Sequence, residues 1–174
     1  RRGPPRGIVR PPVKFKLLPE PPESLEFVAE AQRAVPLVPG SEDDCCARLM
    51  RRVDVPARDV SRTWLTFLRA LELARETDSG FVRERTDPTP EHLRDAFRRR
   101  VYGAREVLAS LDTDEPRTVE GIFTEFEERV PVWETHRAAE DWRDVWRERV
   151  EHMLEWAVLL DLVEERDQGY VRIE

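Results

Sequence analysis

The chain has 174 residues, of which 37% are charged, and its formal net charge is −7. No apolar stretch approaches the roughly 20 residues of a membrane span and no signal peptide is visible, so the sequence predicts a soluble, cytoplasmic protein. The adjacent pair Cys45 and Cys46 holds the only cysteines. Neighbouring thiols do not form an unstrained structural disulfide, which fits a reducing compartment.

The amino-terminal segment is the most basic part of the chain. Residues 1–19 contain six basic residues and no acidic residue and are rich in proline, whereas the remainder contains 23 basic and 36 acidic residues. This composition predicts an extended arm over residues 1–21 that is not packed. Such an arm suits a DNA groove or the surface of an acidic partner.

Three helices are predicted after the arm. Apolar residues recur at helical spacing from Ser24 to Ala34, from Asp43 to Val53 and from Pro56 to Leu71. The third helix begins with its proline in the first turn. On the second helix, the spacing directs Cys46 inward as a small apolar side chain and leaves Cys45 partly exposed.

A thirteen-residue pattern follows the third helix and occurs again near the carboxyl terminus. The segments 71–83 and 160–172 are identical at seven aligned positions. Each contains Asp-x-Gly between two short segments, which predicts a β-hairpin closed by a three-residue loop with a bulge and with glycine in the left-handed conformation. A hairpin this short must pack against the helix before it. The chain therefore repeats one helix-plus-hairpin module.

The second module is longer than the first. Its helices are predicted from Glu91 to Leu111, from Val119 to Val130 and from Asp141 to Leu160. Aligning the two copies leaves about twelve extra residues around 133–140, before the last helix. On that helix Trp142 and Trp146 share an apolar face, which is typical of a core. We predict module bounds of 22–86 and 87–174.

Three helices followed by a hairpin resemble the winged-helix family, and residues 22–174 resemble two such domains in tandem. The resemblance implies an α+β fold that is mainly α-helical with small β-hairpins. It also implies that the third helix of each domain is the recognition helix and that the hairpin is the wing. The arginine-rich, lysine-poor, acidic composition is similar to that of proteins from salt-adapted archaea.

The resemblance implies DNA contact by arginines on the third helices and wings, because arginine binds guanine and phosphate with two donors at once. The candidate DNA-binding residues are Arg58, Arg62, Arg69, Arg83, Arg85, Arg143, Arg147 and Arg172. Acidic residues such as Asp59 and Asp144 occupy neighbouring helical positions, so surface ion pairs are the competing interpretation. The run Arg98-Arg99-Arg100 is interpreted as a solvated patch able to grip phosphate.

Two functions remain open. The first is a DNA-binding transcriptional regulator whose partner is double-stranded DNA. The second is a non-catalytic scaffold in a protein complex, similar to the acidic tandem winged-helix partners of bacterial condensins or to subunits of the replication and transcription machinery. Exposed, converging arginines would favour DNA, and neutralised arginines or exposed apolar patches would favour protein. A homodimer is left open, although no dimerisation heptad is visible.

Enzyme motifs are missing from the sequence. It contains no Gly-rich phosphate loop, no nucleophile elbow and no cysteine or histidine pair at zinc spacing. Glu148 and His152 lie one helical turn apart, but a metal site needs further ligands from elsewhere. We therefore expect no enzymatic activity, no cofactor, no metal and no membrane partner.

Overall fold

The computed structural model describes residues 14–137 and 141–173, except for the side chains of residues 136 and 137. The helices are α1 (Glu26–Ala34), α2 (Glu42–Arg52), α3 (Arg58–Ala70), α4 (Pro90–Arg100), α5 (Ala104–Ala109), α6 (Val119–Phe126), α7 (Val132–Arg137) and α8 (Trp142–Leu159). The strands are β1 (Ala74–Thr77), β2 (Gly80–Arg83), β3 (Val163–Arg166) and β4 (Gly169–Arg172). The predicted fold class, two α+β winged-helix modules in tandem, is confirmed.

In the first module, α1, α2 and α3 pack together and the β1–β2 hairpin follows α3. The loop before α2 adds a third strand segment, because Gly40 and Phe81 exchange two backbone hydrogen bonds of 2.9 and 2.7 Å. Ser41 then caps α2 by accepting a hydrogen bond from the Asp44 amide. Pro56 lies just before α3, which begins at Arg58, so its predicted place in the first turn is wrong.

The second module departs from the prediction in its first helix. The helix expected over 91–111 is two helices, since the chain leaves the helical conformation at Val101 and Gly103 has a φ of 84°. A Cβ on Gly103 would also lie 2.6 Å from the Phe126 ring. The extra residues before the last helix include α7, which packs on α8, while positions 138–140 lie outside the described residues.

Both hairpins are tighter than predicted. Strand pairing continues up to Gly80 in one hairpin and Gly169 in the other, so each loop has two residues rather than three and no bulge. The two glycines are needed for a reason other than the turn, namely the close approach of another backbone segment. A Cβ on Gly80 would lie 2.8 Å from the Gly40 carbonyl carbon, and one on Gly169 would lie 2.9 Å from the Arg117 carbonyl oxygen. Arg117 and Tyr170 exchange two backbone hydrogen bonds in the second module, as Gly40 and Phe81 do in the first, so in each module a third strand segment lies close to the glycine.

One hydrophobic core extends through both modules. Trp156 of α8 contacts Trp64 and Phe67 of α3, with ring centroids 5.8 and 4.5 Å apart. The two third helices therefore pack against each other through their later turns. Trp146 belongs to the same core and is 1% exposed, which confirms the prediction for this tryptophan.

The cysteines correct one sequence-based expectation. Cys45 and Cys46 are both buried, so the predicted partial exposure of Cys45 is wrong. Both side chains face the packed interior because α2 contacts α1 on one side and α3 on the other. Burial raises the pKa of the Cys46 thiol and raises that of Cys45 to about 11, which keeps both thiols protonated and unreactive at neutral pH.

Helix α4 lies at the carboxyl ends of both third helices. The His92 Nε2 atom is 2.8 Å from the Leu71 carbonyl oxygen, and the Arg94 Nε donates to the Leu160 carbonyl at 2.6 Å. Leu71 and Leu160 occupy equivalent positions in the repeated pattern. The last carbonyls of a helix lack partners within that helix, and cations are favoured beside them. Side chains of a single helix of the second module, α4, thus contact carbonyl groups at the ends of both α3 and α8.

Glu72 forms an ion-pair network between the modules. Its carboxylate accepts hydrogen bonds from Arg99 at 2.9 Å and from Arg100 at 2.7 Å. These hydrogen bonds, of which the one from Arg99 has the largest effect, lower the pKa of Glu72 from 4.5 to about 2. Two residues of the arginine run therefore join the modules, which corrects its interpretation as a solvated patch; Arg98 alone is largely exposed.

The described part of the arm is packed, contrary to the prediction. Phe15 is inserted at the break between α4 and α5, where its amide donates to the Arg100 carbonyl and its carbonyl accepts from the Tyr102 amide. Leu18 is buried beside it, and the Pro19 carbonyl accepts a hydrogen bond of 2.8 Å from the Trp156 indole. The extended conformation predicted for residues 1–13 lies outside the described residues, whereas residues 15–19 lie against both modules.

Candidate nucleic-acid interface

The exposed part of the first recognition helix is its amino-terminal half. Trp64, Leu65 and Leu68 are buried, whereas Arg58 and Arg62 have side chains 50% and 52% exposed. This division follows from the amphipathic spacing, since the later turns of α3 pack against the rest of the module and against α8. The two arginines lie one turn apart on the side of the helix that faces solvent.

Both exposed arginines of α3 have acidic partners. Arg58 forms an ion pair with Asp43, and Arg62 lies 3.4 Å from Glu42. The acids belong to the first turn of α2, where negative charge is favoured by the helix dipole. Ion pairing was the competing interpretation of these arginines, although the partners come from the preceding helix and not from the predicted neighbour Asp59.

The second module repeats this arrangement. Arg147 of α8 pairs with Glu120 in the first turn of α6, and Arg143 lies 3.4 Å from Glu127, just after α6. The side chains of Arg143 and Arg147 are 64% and 40% exposed. In both modules the arginines of the recognition helix, α3 or α8, thus pair with acids in or just after α2 or α6. The positive charge of each recognition helix is therefore largely balanced within its own module.

Two other candidate residues, Arg69 and Arg172, have structural contacts. Arg69 lies 3.2 Å from Glu76 and packs against the Phe15 and Phe81 rings. Arg172 is directed toward the Leu108 carbonyl at 3.4 Å. The candidates therefore do not form one surface, because only Arg58 and Arg62 on α3, and Arg143 and Arg147 on α8, share an exposed helix face.

The wing tips carry little positive charge. The two-residue loops are Asp78-Ser79 and Asp167-Gln168. On the strands, Arg75 pairs with Glu84 at 2.7 Å. An acidic loop tip is poorly suited to a phosphate backbone, so any phosphate contact by the wing must involve residues at its base.

The base of the first wing holds an arginine cluster that sequence reasoning recovered only in part. It consists of the predicted residues Arg83 and Arg85 and the unpredicted residues Arg33, Arg48 and Arg52. Within the described part of the chain, none of the five lies within ion-pair distance of an acidic residue.

Three elements bring the cluster together. Arg48 of α2 donates to the Ala34 carbonyl at 2.7 Å, and Arg83 of β2 donates to the Val35 and Arg33 carbonyls at 2.8 and 2.7 Å. Burial, followed by the neighbouring arginines, lowers the pKa of Arg83 below its usual range. A signal was present in the sequence, because the second half of α2 has three arginines and no acid while its first turn has three acids.

Within the described residues there is no group of histidine, cysteine and carboxylate side chains placed to hold a metal ion. None of the described helices is long and apolar enough to cross a membrane. These findings concern 14–137 and 141–173 alone.

Comparison with known proteins assigns the family. A family model described as "Halobacterial double winged helix domain" matches residues 13–174, which includes both modules and the packed part of the arm. No curated protein and no solved structure matches the chain. Winged-helix domains are in general binding domains for nucleic acid or protein. The match spans nearly the whole length, and the chain therefore belongs to the halobacterial double winged helix domain family.

Proposed function

We propose that the protein binds double-stranded DNA as a transcriptional regulator, with the exposed first turns of α3 as its principal contact. A single observation supports this proposal. The exposed first turns of α3 present Arg58 and Arg62 on a solvent-facing helix face, and their acidic partners are themselves exposed, with side chains 73% and 43% accessible. A cytoplasmic location, where DNA is within reach, is part of the same proposal.

The ion pairs of α3 do not prevent this contact. Exposed pairs between flexible side chains are weak, because water screens the charges and ordering both chains costs entropy. At about 1 M salt the Debye length falls to about 3 Å, so long-range attraction disappears and direct contacts remain. Arg58 and Arg62 can then exchange a carboxylate for a base edge or a phosphate at little cost.

Charge distinguishes the modules. Residues 22–86 contain 10 basic and 12 acidic residues, whereas residues 87–174 contain 13 basic and 23 acidic residues. Phosphate contacts supply much of the affinity of DNA-binding proteins. We therefore assign the DNA contact to the first module.

The second module suits a second candidate function, a scaffold that binds another protein without catalysing a reaction. Its inserted helix α7 exposes Val132 and Trp133 to 71% and 53%, and Val145 at the start of α8 is 40% exposed. Exposed apolar side chains next to neutralised arginines are more typical of a protein contact than of a DNA contact. This function is compatible with DNA binding by the first module.

The proposal is tested by fluorescence anisotropy with a random-sequence duplex pool in molar KCl, followed by sequencing of the retained DNA. The variant Arg58→Gln/Arg62→Gln should bind the enriched sequence more weakly and discriminate less between sequences. The matched control is Arg143→Gln/Arg147→Gln, which removes the equivalent pair from α8 and should change binding much less. Failure of the parent protein to enrich any sequence, or equal binding by the α3 variant, would overturn the assignment.

A further inference from the structure

We propose that the arginine cluster, formed by Arg33, Arg48, Arg52, Arg83 and Arg85, is a binding site for the phosphate backbone of nucleic acid. The site lies apart from the exposed face of α3. About 14 Å along the axis of α2 separate Asp43, which pairs with Arg58, from Arg52. This inference adds a second surface to the proposed function and does not rest on base readout by α3.

The cluster differs from the arginine pairs on α3 and α8 in its lack of ion pairs to acidic residues within the described part of the chain. Arginines on α3, α4 and α8 form ion pairs with carboxylates, including Asp43, Glu72 and Glu120. The five cluster residues have no such partner within the described residues, and three of them, Arg33, Arg52 and Arg85, are exposed. Converging like charges destabilise a fold unless a counter-charge is supplied, and an external polyanion supplies it.

Stabilisation of the α2 dipole does not explain why the five arginines lie together. Arg48 and Arg52 lie in the last two turns of α2, where positive charge suits the helix dipole. Arg83, however, is the last residue of β2, Arg85 lies two residues beyond it, and Arg33 comes from the end of α1. Arg48 and Arg83 are moreover held in place by hydrogen bonds to the carbonyls of residues 33–35. These bonds leave donors on both guanidinium groups for a ligand.

The spacing favours a repeating polyanion over an acidic peptide. Arg48 and Arg52 are one helical turn apart, about 5–6 Å. Arg83 and Arg85 are two residues apart, which is at most about 7 Å along the backbone. Two short rows of guanidinium groups suit successive phosphates of one strand, which each group can bind with two parallel hydrogen bonds. Because the contacts go to phosphate, binding should be independent of sequence.

The test compares two triple variants that remove the same charge. Arg33→Gln/Arg52→Gln/Arg85→Gln removes the exposed cluster residues and retains the two that bind backbone carbonyls. The control Arg98→Gln/Arg105→Gln/Arg129→Gln removes three exposed arginines of the second module. Equal thermal midpoints should show that both variants fold. Affinities are measured over a range of KCl concentrations for random duplex DNA, single-stranded DNA, inorganic polyphosphate and polyglutamate.

The cluster variant should bind random duplex at least about tenfold more weakly than the parent, and its plot of log K against log salt should be shallower by about 2–3, since each lost phosphate contact contributes about 0.9. The control should match the parent. Unchanged duplex binding by the cluster variant would overturn the inference while leaving the proposed function intact. Cluster-dependent binding of single strands or polyphosphate without any duplex binding would support the inference and overturn the proposed function. Equal or tighter binding of polyglutamate would assign the surface to an acidic protein.

Discussion

Replacing Glu72 with glutamine should weaken the junction between the two modules. The side chain keeps its shape but loses the negative charge that accepts hydrogen bonds from Arg99 and Arg100. The pKa of Glu72 falls from 4.5 to about 2 in the folded protein, which corresponds to about 3 kcal/mol at most. Because the carboxylate is 31% exposed, solvent screening reduces the expected loss to about 1–2 kcal/mol of unfolding free energy.

The pH dependence identifies the charge as the cause. A folded-state pKa below the unfolded value of 4.5 means that the stabilisation is fully present above 4.5 and is lost as pH falls toward about 2. The difference between parent and Glu72→Gln should therefore be constant near neutral pH and should narrow in acid. Chemical denaturation at fixed molar KCl, followed by tryptophan fluorescence, measures this difference.

The repeat provides a matched control in Asp161, which aligns with Glu72 and has nearly the same φ, 59° against 60°. Asp161 is 78% exposed and lies 3.8 Å from Arg94, so Asp161→Asn should change the unfolding free energy by less than about 0.5 kcal/mol. Equal losses in the two variants, or a loss in Glu72→Gln that persists unchanged in acid, would refute the reasoning.

Three further changes test the fold. Asp161→Gly should raise the unfolding free energy by about 0.5–1 kcal/mol, since glycine adopts a φ of 59° without strain; a loss measured by denaturation would contradict this. Gly80→Ala should cost about 1–3 kcal/mol because of its φ of 133° and the close Gly40 backbone, whereas Gly121→Ala, inside α6 with its nearest neighbours at 3.5 Å, should be neutral or stabilising in the same assay. Phe15→Ala should cost about 2–3 kcal/mol and should make the modules unfold in separate calorimetric transitions; one unchanged transition would show that the arm does not couple them.

Much of the architecture could be predicted because it depends on local pattern. Helical spacing located the helices to within a few residues, and the repeat at 71–83 and 160–172 identified two hairpins and hence two winged-helix modules. The prediction of one helix over 91–111 failed at Gly103, which has a positive φ and has no room for a Cβ beside the Phe126 ring. That contact joins residues far apart in sequence, so periodicity alone did not reveal it.

The candidate site was harder to predict than the fold. The sequence identified arginines on the third helices, but it did not show that acids on the second helix of each module balance them. The sequence also did not show the arginine cluster as one group. Arg33, Arg48 and Arg83 belong to separate elements and meet only around the carbonyls of residues 33–35. The spacing of charges along one helix can be read from the sequence, whereas ion pairs between different elements depend on how those elements pack.

The sequence by itself determined the two modules, the hairpin that ends each of them, and the need for glycine at positions 80 and 169, because periodicity and turn composition act over a few residues. Only the tertiary structure decided why those glycines are needed, where residues 15–19 pack, and which arginines are neutralised. These features depend on contacts between distant segments. They result from the packing of both modules around Trp156, which brings α3, α4 and residues 15–19 together.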